Sequence, residues 1–510
     1  MKPAAPNILI FFIFSMLFLI VASFSITGIA APYIVSDLGG DRYIATYGMT
    51  FFGFGAAITI PIAKALASRL GEVKTYIILG ALFALANLFC ALAPTFFLFI
   101  AARVFTGMCA GPIYPLMTNI FSSLIPEEKK GTIFWIMVTI LVVIPSFAAA
   151  WGGVVAYLYN WRALFYWNAA LAFAATLFLG YLLKGAPIAK MRRSFDWSGW
   201  VFYAIGIFGL MFPVATAQQL DWYRSNLLIA SSIIGTIAFS YFLIRSVRHT
   251  APVMDFSLLR KPIFSFALIC MAVLFGIYFG LILLLGNWLT FDVRFTPDWI
   301  GVLIGSMGIA GLFPRFIIGS RLGKFDPRIW IGLAIALLGI SCFYSSIFNS
   351  EINFGRIAFS RVIAGFGVAL FLPPVFQIMS EAHPPEKWIS VFELFQIVRN
   401  LACSIGAATL MIAWQRRTVF YHERLNETLS RQSLSTQEVF ATAKIYDVPG
   451  DPNALLNDLL DMRASALALD DVFYLMGWIL TALTALLLLT YLSYRKLFNI
   501  NIARWRQKGC

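Results

Sequence analysis

Residues 103–111 read RVFTGMCAG and residues 361–369 read RVIAGFGVA, one arginine-led, glycine-bearing stretch met twice at a spacing of 258 positions. The segments that follow are also alike, IPEEKKG from Ile125 and HPPEKWI from His383, and Pro126 and Pro384 are again 258 apart. Two separate landmarks at one offset mark a duplicated unit. A third echo, RLG at 69–71 and 321–323, lies at an offset of 252, so a small insertion or deletion intervenes.

Both copies sit in apolar surroundings. The 510-residue chain is 60% hydrophobic and only 12% charged, with a mean hydropathy of +0.82. A soluble domain carries roughly twice that share of charge, about 25%. The apolar residues fall in blocks of about 20, the length that crosses a bilayer as a helix. Fourteen blocks are recognisable, near 8–31, 45–68, 75–95, 97–119, 131–155, 163–184, 199–217, 226–245, 262–288, 299–319, 329–348, 356–379, 389–413 and 473–493. The first is too long for a signal-peptide core and reads as a retained span. The expected fold is an all-α integral membrane protein of 14 transmembrane helices. Spans 2–5 correspond to spans 10–13, which makes two six-helix bundles in parallel orientation with two helices inserted between them. The expected divisions are residues 1–185 for the first bundle, 186–261 for a linker carrying spans 7 and 8, and 262–510 for the second bundle.

The net charge of +14 is read as topology. Twenty-three Lys and Arg residues fall on the side of the termini, whereas the short loops of the other side hold only Arg42, Arg162, Arg224, Arg294 and Arg356. The positive-inside rule places both termini in the cytoplasm, and the surplus implies no nucleic-acid partner. One opposite-side loop, 415–471, is long enough to escape that rule. Its Ser435-x-x-Glu438 spacing suits a capping box. Asp451-Pro452 suits a helix start, and Leu455, Leu456, Leu459 and Leu460 recur at helical spacing. This amphipathic stretch either packs on the protein or docks a partner. Five of the six cysteines lie in apolar blocks and the sixth is Cys510, so no disulfide framework or C-x-x-C metal spacing is present. With no metal cluster, nucleophile–base pair or phosphate loop, neither an enzyme nor a cofactor is expected.

Two related bundles around a central site is a transporter plan, and specific residues carry it further. ALASRLGEVK (65–74) follows span 2, with Arg69, Gly71 and Lys74. Span 4 holds Arg103, Thr106, Gly107, Ala110, Gly111 and Pro112; span 5 ends in Gly152 and Gly153. Trp161-Arg162, Phe165 and Asn168 open span 6, Asp196 and Gly199 open span 7, and RNLACSIG (399–406) lies in span 13. From first span to last, the chain resembles the major facilitator superfamily, in its 14-span drug:proton antiporter branch of EmrB and QacA type. The resemblance implies an inner-membrane, multidrug-efflux-like exporter. For loop 415–471 it implies a periplasmic adaptor and an outer-membrane channel as partners. It also implies helix-packing roles for Gly107, Gly111, Gly152 and Gly153.

The chain departs from that pattern in three places. Ser68 stands where the loop 2–3 motif carries Asp. Ala148 and Ala149 replace a Gly-Pro pair in span 5, with Pro145 nearby. Ser23 stands where span 1 carries an acid, and a hydroxyl does not titrate in any relevant range. Of 24 Asp and Glu residues only Glu393 lies well within a span, on one helical face with Gln396 and Asn400 and near Arg399. Desolvation and a nearby arginine pull its titration in opposite directions. The expectation is proton coupling by Glu393, Arg399 and Arg103, with Ser23, Arg361, Gln396 and Asn400 lining a substrate cavity. Arg315 lies near a span end and snorkels. The expected function is proton-coupled, alternating-access export of small amphiphilic molecules across the bilayer. Buried arginines without a span-1 acid favour an alternative substrate, an anionic metabolite such as a carboxylate siderophore or a fatty acid. The degraded motifs suit a further alternative, a membrane receptor or scaffold without turnover.

Overall fold

A computed structural model describes residues 6–508 apart from 125–126, 185–194, 251, 315, 317–325, 350, 385–386, 429–436 and 438–451. Arg315, the RLG at 321–323, Ser435, Glu438 and Asp451 therefore lie outside the described residues. The described residues form sixteen helices and no strand. In chain order these are α1 (Pro6–Leu38), α2 (Tyr47–Thr59), α3 (Ala63–Leu70), α4 (Glu72–Leu92), α5 (Phe96–Ala110), α6 (Ile113–Leu124), α7 (Glu127–Leu158) and α8 (Trp161–Leu182). They continue as α9 (Trp197–Thr216), α10 (Asn226–Arg248), α11 (Pro262–Phe291), α12 (Pro297–Ala310), α13 (Pro327–Ser345), α14 (Phe354–Ala382), α15 (Trp388–Thr428) and α16 (Pro452–Lys508). Helices α2 and α3 make one broken span, and so do α5 and α6. Among the described residues thirteen spans are long and apolar enough to cross a membrane, and α12 is a shorter apolar helix in the place of the tenth of fourteen.

The breaks have local causes. Pro61 has no N–H and cannot bond the carbonyl four residues earlier, so the span narrows to a 3₁₀ turn at Ile60–Ile62. The abandoned Ala57 carbonyl accepts from Tyr203 Oη–H at 3.0 Å, and that of Ile58 accepts from Trp200 Nε1–H at 3.0 Å. Backbone groups freed in hydrocarbon must be satisfied within the protein, and here inserted helix α9 does so. The turn after α3 needs Gly71, whose φ of +84° excludes most other residues.

The duplication is visible in the packing. A Cβ on Gly107 of α5 would stand 2.0 Å from the Phe52 carbonyl oxygen of α2. A Cβ on Gly365 of α14, its partner at the 258-residue offset, would stand 2.1 Å from the Met307 carbonyl oxygen of α12. Small residues at matching places let backbones touch in both halves, the usual means of helix association in lipid. Gly111 is similarly close, 2.4 Å from the Ala56 oxygen.

The halves meet along two seams. In one, α2 lies on α15, where a Cβ at Gly53 would strike Ser404 Oγ at 2.0 Å and the Asn400 oxygen at 3.0 Å. In the other, α7 lies on α12, where a Cβ at Gly153 would strike the Pro297 oxygen at 2.1 Å. Between them α1 faces α11, with Phe24 edge-on to Phe279 at 5.0 Å. Inserted helices α9 and α10 form a tight pair, with Gly209 against Gly235, and α9 rests on both α2 and α15. The pair is fastened where α9 begins. Burial opposes charge on the N-cap Asp196, but Arg245, at 2.7 and 2.9 Å, outweighs it together with Gly199 N–H and the Ser198 hydroxyl. They hold the carboxyl down at about 2.

Much of segment 415–471 is not loop. Helix α15 runs 41 residues without interruption, and α16 runs 57. At 1.5 Å per residue, α15 is about 60 Å long, twice the hydrocarbon thickness. The two helices leave the bundle as an antiparallel hairpin. Trp414 Nε1–H donates to the Ser465 oxygen (3.1 Å), Arg417 and the Tyr421 hydroxyl (2.8 Å) bond Asp471, and His422 Nδ1 meets Asp461 at 2.7 Å. Helix α15 runs on past the expected span end at 413 because its polar residues pair with α16, and α16 starts at Pro452, the proline expected at the first helical position. Self-packing covers Leu460 and Leu469, while Leu459 and Leu467 stay exposed.

The adjacent glycines of α7 give a built-in comparison, since the nearest atom to a Cβ at Gly152 is 3.8 Å away. Gly153→Ala is expected to force α7 and α12 apart and cost about 1–3 kcal/mol, as overpacking does. Gly152→Ala is expected to leave the unfolding midpoint of the purified protein within a degree or two.

Candidate functional site

The polar residues singled out in the sequence do not share one cavity. The structure sorts them into three nodes, of which one lies between the halves.

The first node is inside the N-terminal bundle. Arg103, fully buried on α5, donates Nε–H to the Gly48 oxygen (3.0 Å), Nη1–H to Ser23 Oγ (3.2 Å) and Nη2–H to the Ser23 oxygen (3.0 Å). Its guanidinium carbon lies 4.6 Å from the centre of the Phe52 ring. Ser23 Oγ–H in turn donates to Asn87 Oδ1 at 2.9 Å, which brings α4 into the node. The guanidinium thus binds α1, α2 and α5 together through neutral acceptors.

The second node is inside the C-terminal bundle. Arg361, on α14, donates Nη2–H to Ser345 Oγ (2.6 Å) and Ser360 Oγ (2.9 Å), and its charge lies 5.8 Å from the Phe473 ring centre. These partners are on α13, α14 and α16, so Arg361 stands apart from the seam, although its counterpart position suggested a shared cavity. Its Nε and Nη1 have no hydrogen-bond partner. The two arginines occupy corresponding places in the repeat, but only the N-terminal one is fully engaged.

The third node lies on the seam between α2–α6 and α15. Glu393 and Lys64 form an ion pair that joins α15 to α3, with Lys64 also 3.4 Å from Ser390 Oγ. Both side chains are largely buried. Two turns further along α15, Arg399 donates Nε–H to Gln396 Oε1 (2.7 Å) and Nη2–H to the Tyr114 hydroxyl of α6 (3.3 Å). The rings of Tyr114 and of Phe275 on α11 flank the guanidinium at 5.6 and 6.0 Å. Asn400 Nδ2–H donates to the Gln396 backbone oxygen (2.8 Å), fixing the face of α15. Glu393, Gln396, Arg399 and Asn400 are therefore together as their helical spacing required.

Lys64 and Tyr114 were not anticipated. Lys64 was counted among topogenic charges, yet it interrupts an apolar run (ITIPIAKALA, 58–67), a signal that could have set it apart. Tyr114 carries no such mark. The loop 2–3 residues serve elsewhere: Arg69 lies over the Trp197 ring at 5.1 Å, tying the loop to the inserted pair, and Lys74 is exposed. Buried Glu72, at the start of α4, accepts from Asn119 Nδ2–H of α6 at 2.6 Å. Among the described residues no group of three His, Cys, Asp or Glu side chains could hold a metal ion.

Comparison with known proteins adds to this geometry. The model of the Major Facilitator Superfamily matches residues 13–407. The multidrug export protein EmrB of Escherichia coli K12 is 28% identical over 426 residues, covering 83% of each chain. The fatty acid resistance protein FarB of Neisseria gonorrhoeae is 24% identical over 457 residues, covering 89% of this chain and 90% of its own. Among solved structures, a bacterial homologue of the lysosomal transporter Spinster, inward-facing and occupied, superimposes with a TM-score of 0.66 at 15% identity. It covers 97% of this chain and 98% of that one.

The contrast between Arg103 and Arg361 is testable by unfolding. Arg103→Met removes the charge-assisted hydrogen bonds to Ser23 and Gly48, each worth about 1.5–3 kcal/mol, and is expected to lower the melting temperature steeply. Arg361→Met removes a charge that is only half engaged. Its cost is expected to be smaller, or negative, because an apolar isostere often matches a buried ion. Equal losses in the two variants would contradict the assignment.

Proposed function

The chain belongs to the major facilitator superfamily and is a multi-pass membrane transporter, not an enzyme; we propose that it is a proton-driven exporter of small amphiphilic molecules working by alternating access. The observation that carries this reading is the Lys64–Glu393 ion pair across the seam. The relatives named for multidrug export and fatty acid resistance support the direction of transport and the amphiphilic cargo. The loop charges support an orientation with both termini in the cytoplasm and an inner-membrane location.

The ion pair gives the cycle a chemical switch. With Glu393 ionised, Lys64 holds α3 against α15 and the cytoplasmic end stays shut. A proton arriving from outside converts the carboxylate to a carboxylic acid, and the charge attraction across the seam is lost. Lys64 keeps its own proton throughout. The cytoplasmic end then opens, the proton leaves to the cytoplasm, and substrate enters. Re-formation of the pair closes that end with substrate inside, which ties one proton inward to one substrate outward. Glu393 has the position for this, because it is the sixth residue of α15 and near the cytoplasmic end of the seam.

The hairpin of α15 and α16 continues beyond Arg416, whose Nε–H donates to Gln218 Oε1 at 3.1 Å, as far as Thr428 and Pro452 among the described residues. Its exposed Leu459 and Leu467 suit the docking of a periplasmic adaptor, which would continue the path to an outer-membrane channel.

Two experiments test the reading. In proteoliposomes with an imposed pH gradient, Glu393→Gln is expected to abolish gradient-driven export while leaving substrate exchange without a gradient. Gradient-driven export at the wild-type rate would sink the coupling role. The double variant Leu459→Ser, Leu467→Ser alters the exposed face of the hairpin and retains the Trp414, Arg417 and Tyr421 contacts. It is expected to remove co-purification of an adaptor without changing the melting temperature, and retained co-purification would place the docking surface elsewhere.

A further inference from the structure

Arg103, Arg361 and Arg399 are all at most 1% exposed, yet each is hydrogen-bonded only to neutral groups. Of the three, only Arg399 stands on the seam, where a transported molecule must pass. The nearest acid along its helix is Glu393, six residues earlier, and its charge is matched by Lys64. Among the described residues, therefore, no carboxylate pairs with the charge of Arg399.

The groups around it are oriented as donors. The bond from Arg399 Nε fixes the Gln396 carboxamide with Oε1 toward the guanidinium, so Nε2 turns away from it. That nitrogen is buried and has no hydrogen-bond partner, on a residue with no exposed surface. The Tyr114 oxygen already accepts from Arg399, which leaves its O–H to donate. Guanidinium, carboxamide N–H and phenol O–H are thus gathered as donors in one buried cluster of α15 and α6, beside the Phe275 ring. A buried donor without an acceptor costs about 1–3 kcal/mol, and a guanidinium flanked by further donors fits oxygen atoms bearing negative charge.

We infer that the Arg399–Gln396–Tyr114 cluster is the head-group site of the transporter, and that it takes a single anionic group, a carboxylate or sulfonate, on an amphiphile whose apolar body lies along the aromatic wall. This rests on the export reading for its position on the transport path, and it narrows the cargo from amphiphiles in general to anionic ones. An anion supplies the acceptors that Gln396 and Tyr114 lack and neutralises Arg399. A quaternary ammonium of equal length meets an unscreened like charge and finds no acceptor, so discrimination comes from repulsion as well as attraction.

The test is equilibrium binding to the full chain in lipid nanodiscs, using decanoate, decanol and decyltrimethylammonium, which share one tail and differ in head group. Decanoate is expected to bind saturably and more than about tenfold tighter than either of the others, since losing one partner of a buried charged contact costs at least that factor. Arg399→Gln is expected to bring decanoate down to the affinity of decanol. Gln396→Glu places a carboxylate within reach of Arg399 and is expected to remove decanoate binding while keeping or raising the melting temperature, which separates site loss from misfolding. Equal or tighter binding of the ammonium, or a decanoate preference undiminished in both variants, would overturn the assignment. Gradient-driven flux measured in parallel separates the two readings. Decanoate binding without flux removes the export reading and leaves the site, whereas flux of the ammonium without decanoate binding removes the site and leaves export.

Discussion

A charge inside a bilayer must find its partner within the protein, because hydrocarbon offers neither hydrogen bonds nor dielectric screening. The arrangement of this chain follows from how it meets that demand. Arg103 is satisfied by backbone carbonyls and hydroxyls of α1 and α2, and so becomes a clamp on three helices. Glu393 is satisfied by Lys64 on the opposite half, and so becomes a tie across the seam. Arg399 is met by a carboxamide of its own helix and a phenol of α6, and so links α15 to the N-terminal half through neutral groups. The same kind of group clamps helices within one half or joins the two halves, according to which partner is within reach.

Duplication supplied the frame and then allowed the halves to diverge. Gly107 and Gly365 hold equivalent helix crossings in the two bundles, at nearly the same backbone distance. The arginines four residues before them do not have equivalent surroundings. Arg103 finds two carbonyls, while Arg361 finds serines on one nitrogen and little on the others. Packing by small residues tolerates little change, because a single methyl group collides with backbone. Polar networks can be rebuilt by exchanging one side chain, as the different partners of Arg103 and Arg361 show.

Much of this architecture is legible without coordinates. The blocks of about 20 apolar residues, the 258-residue offset and the inserted pair give the order of helices, since span length and repeat are one-dimensional properties. The helical face of Glu393, Gln396, Arg399 and Asn400 is likewise fixed by a 3.6-residue period. The hairpin was less legible. Charged residues beyond 415 look like a loop until α16 supplies Asp471 and Asp461 as their partners.

The sequence by itself therefore determined the membrane class, the count and order of spans, the twofold repeat and the family. The first three follow from composition and spacing along one line, and the family from the residues that resemble its motifs. Only the tertiary structure decided that Arg103, Arg361 and Arg399 belong to three separate nodes, that Lys64 meets Glu393, and that Tyr114 completes the seam. Those are pairings between residues 285 or 329 positions apart. Sequence spacing fixes which side of its own helix a residue occupies, but which helix lies opposite depends on how the two bundles pack.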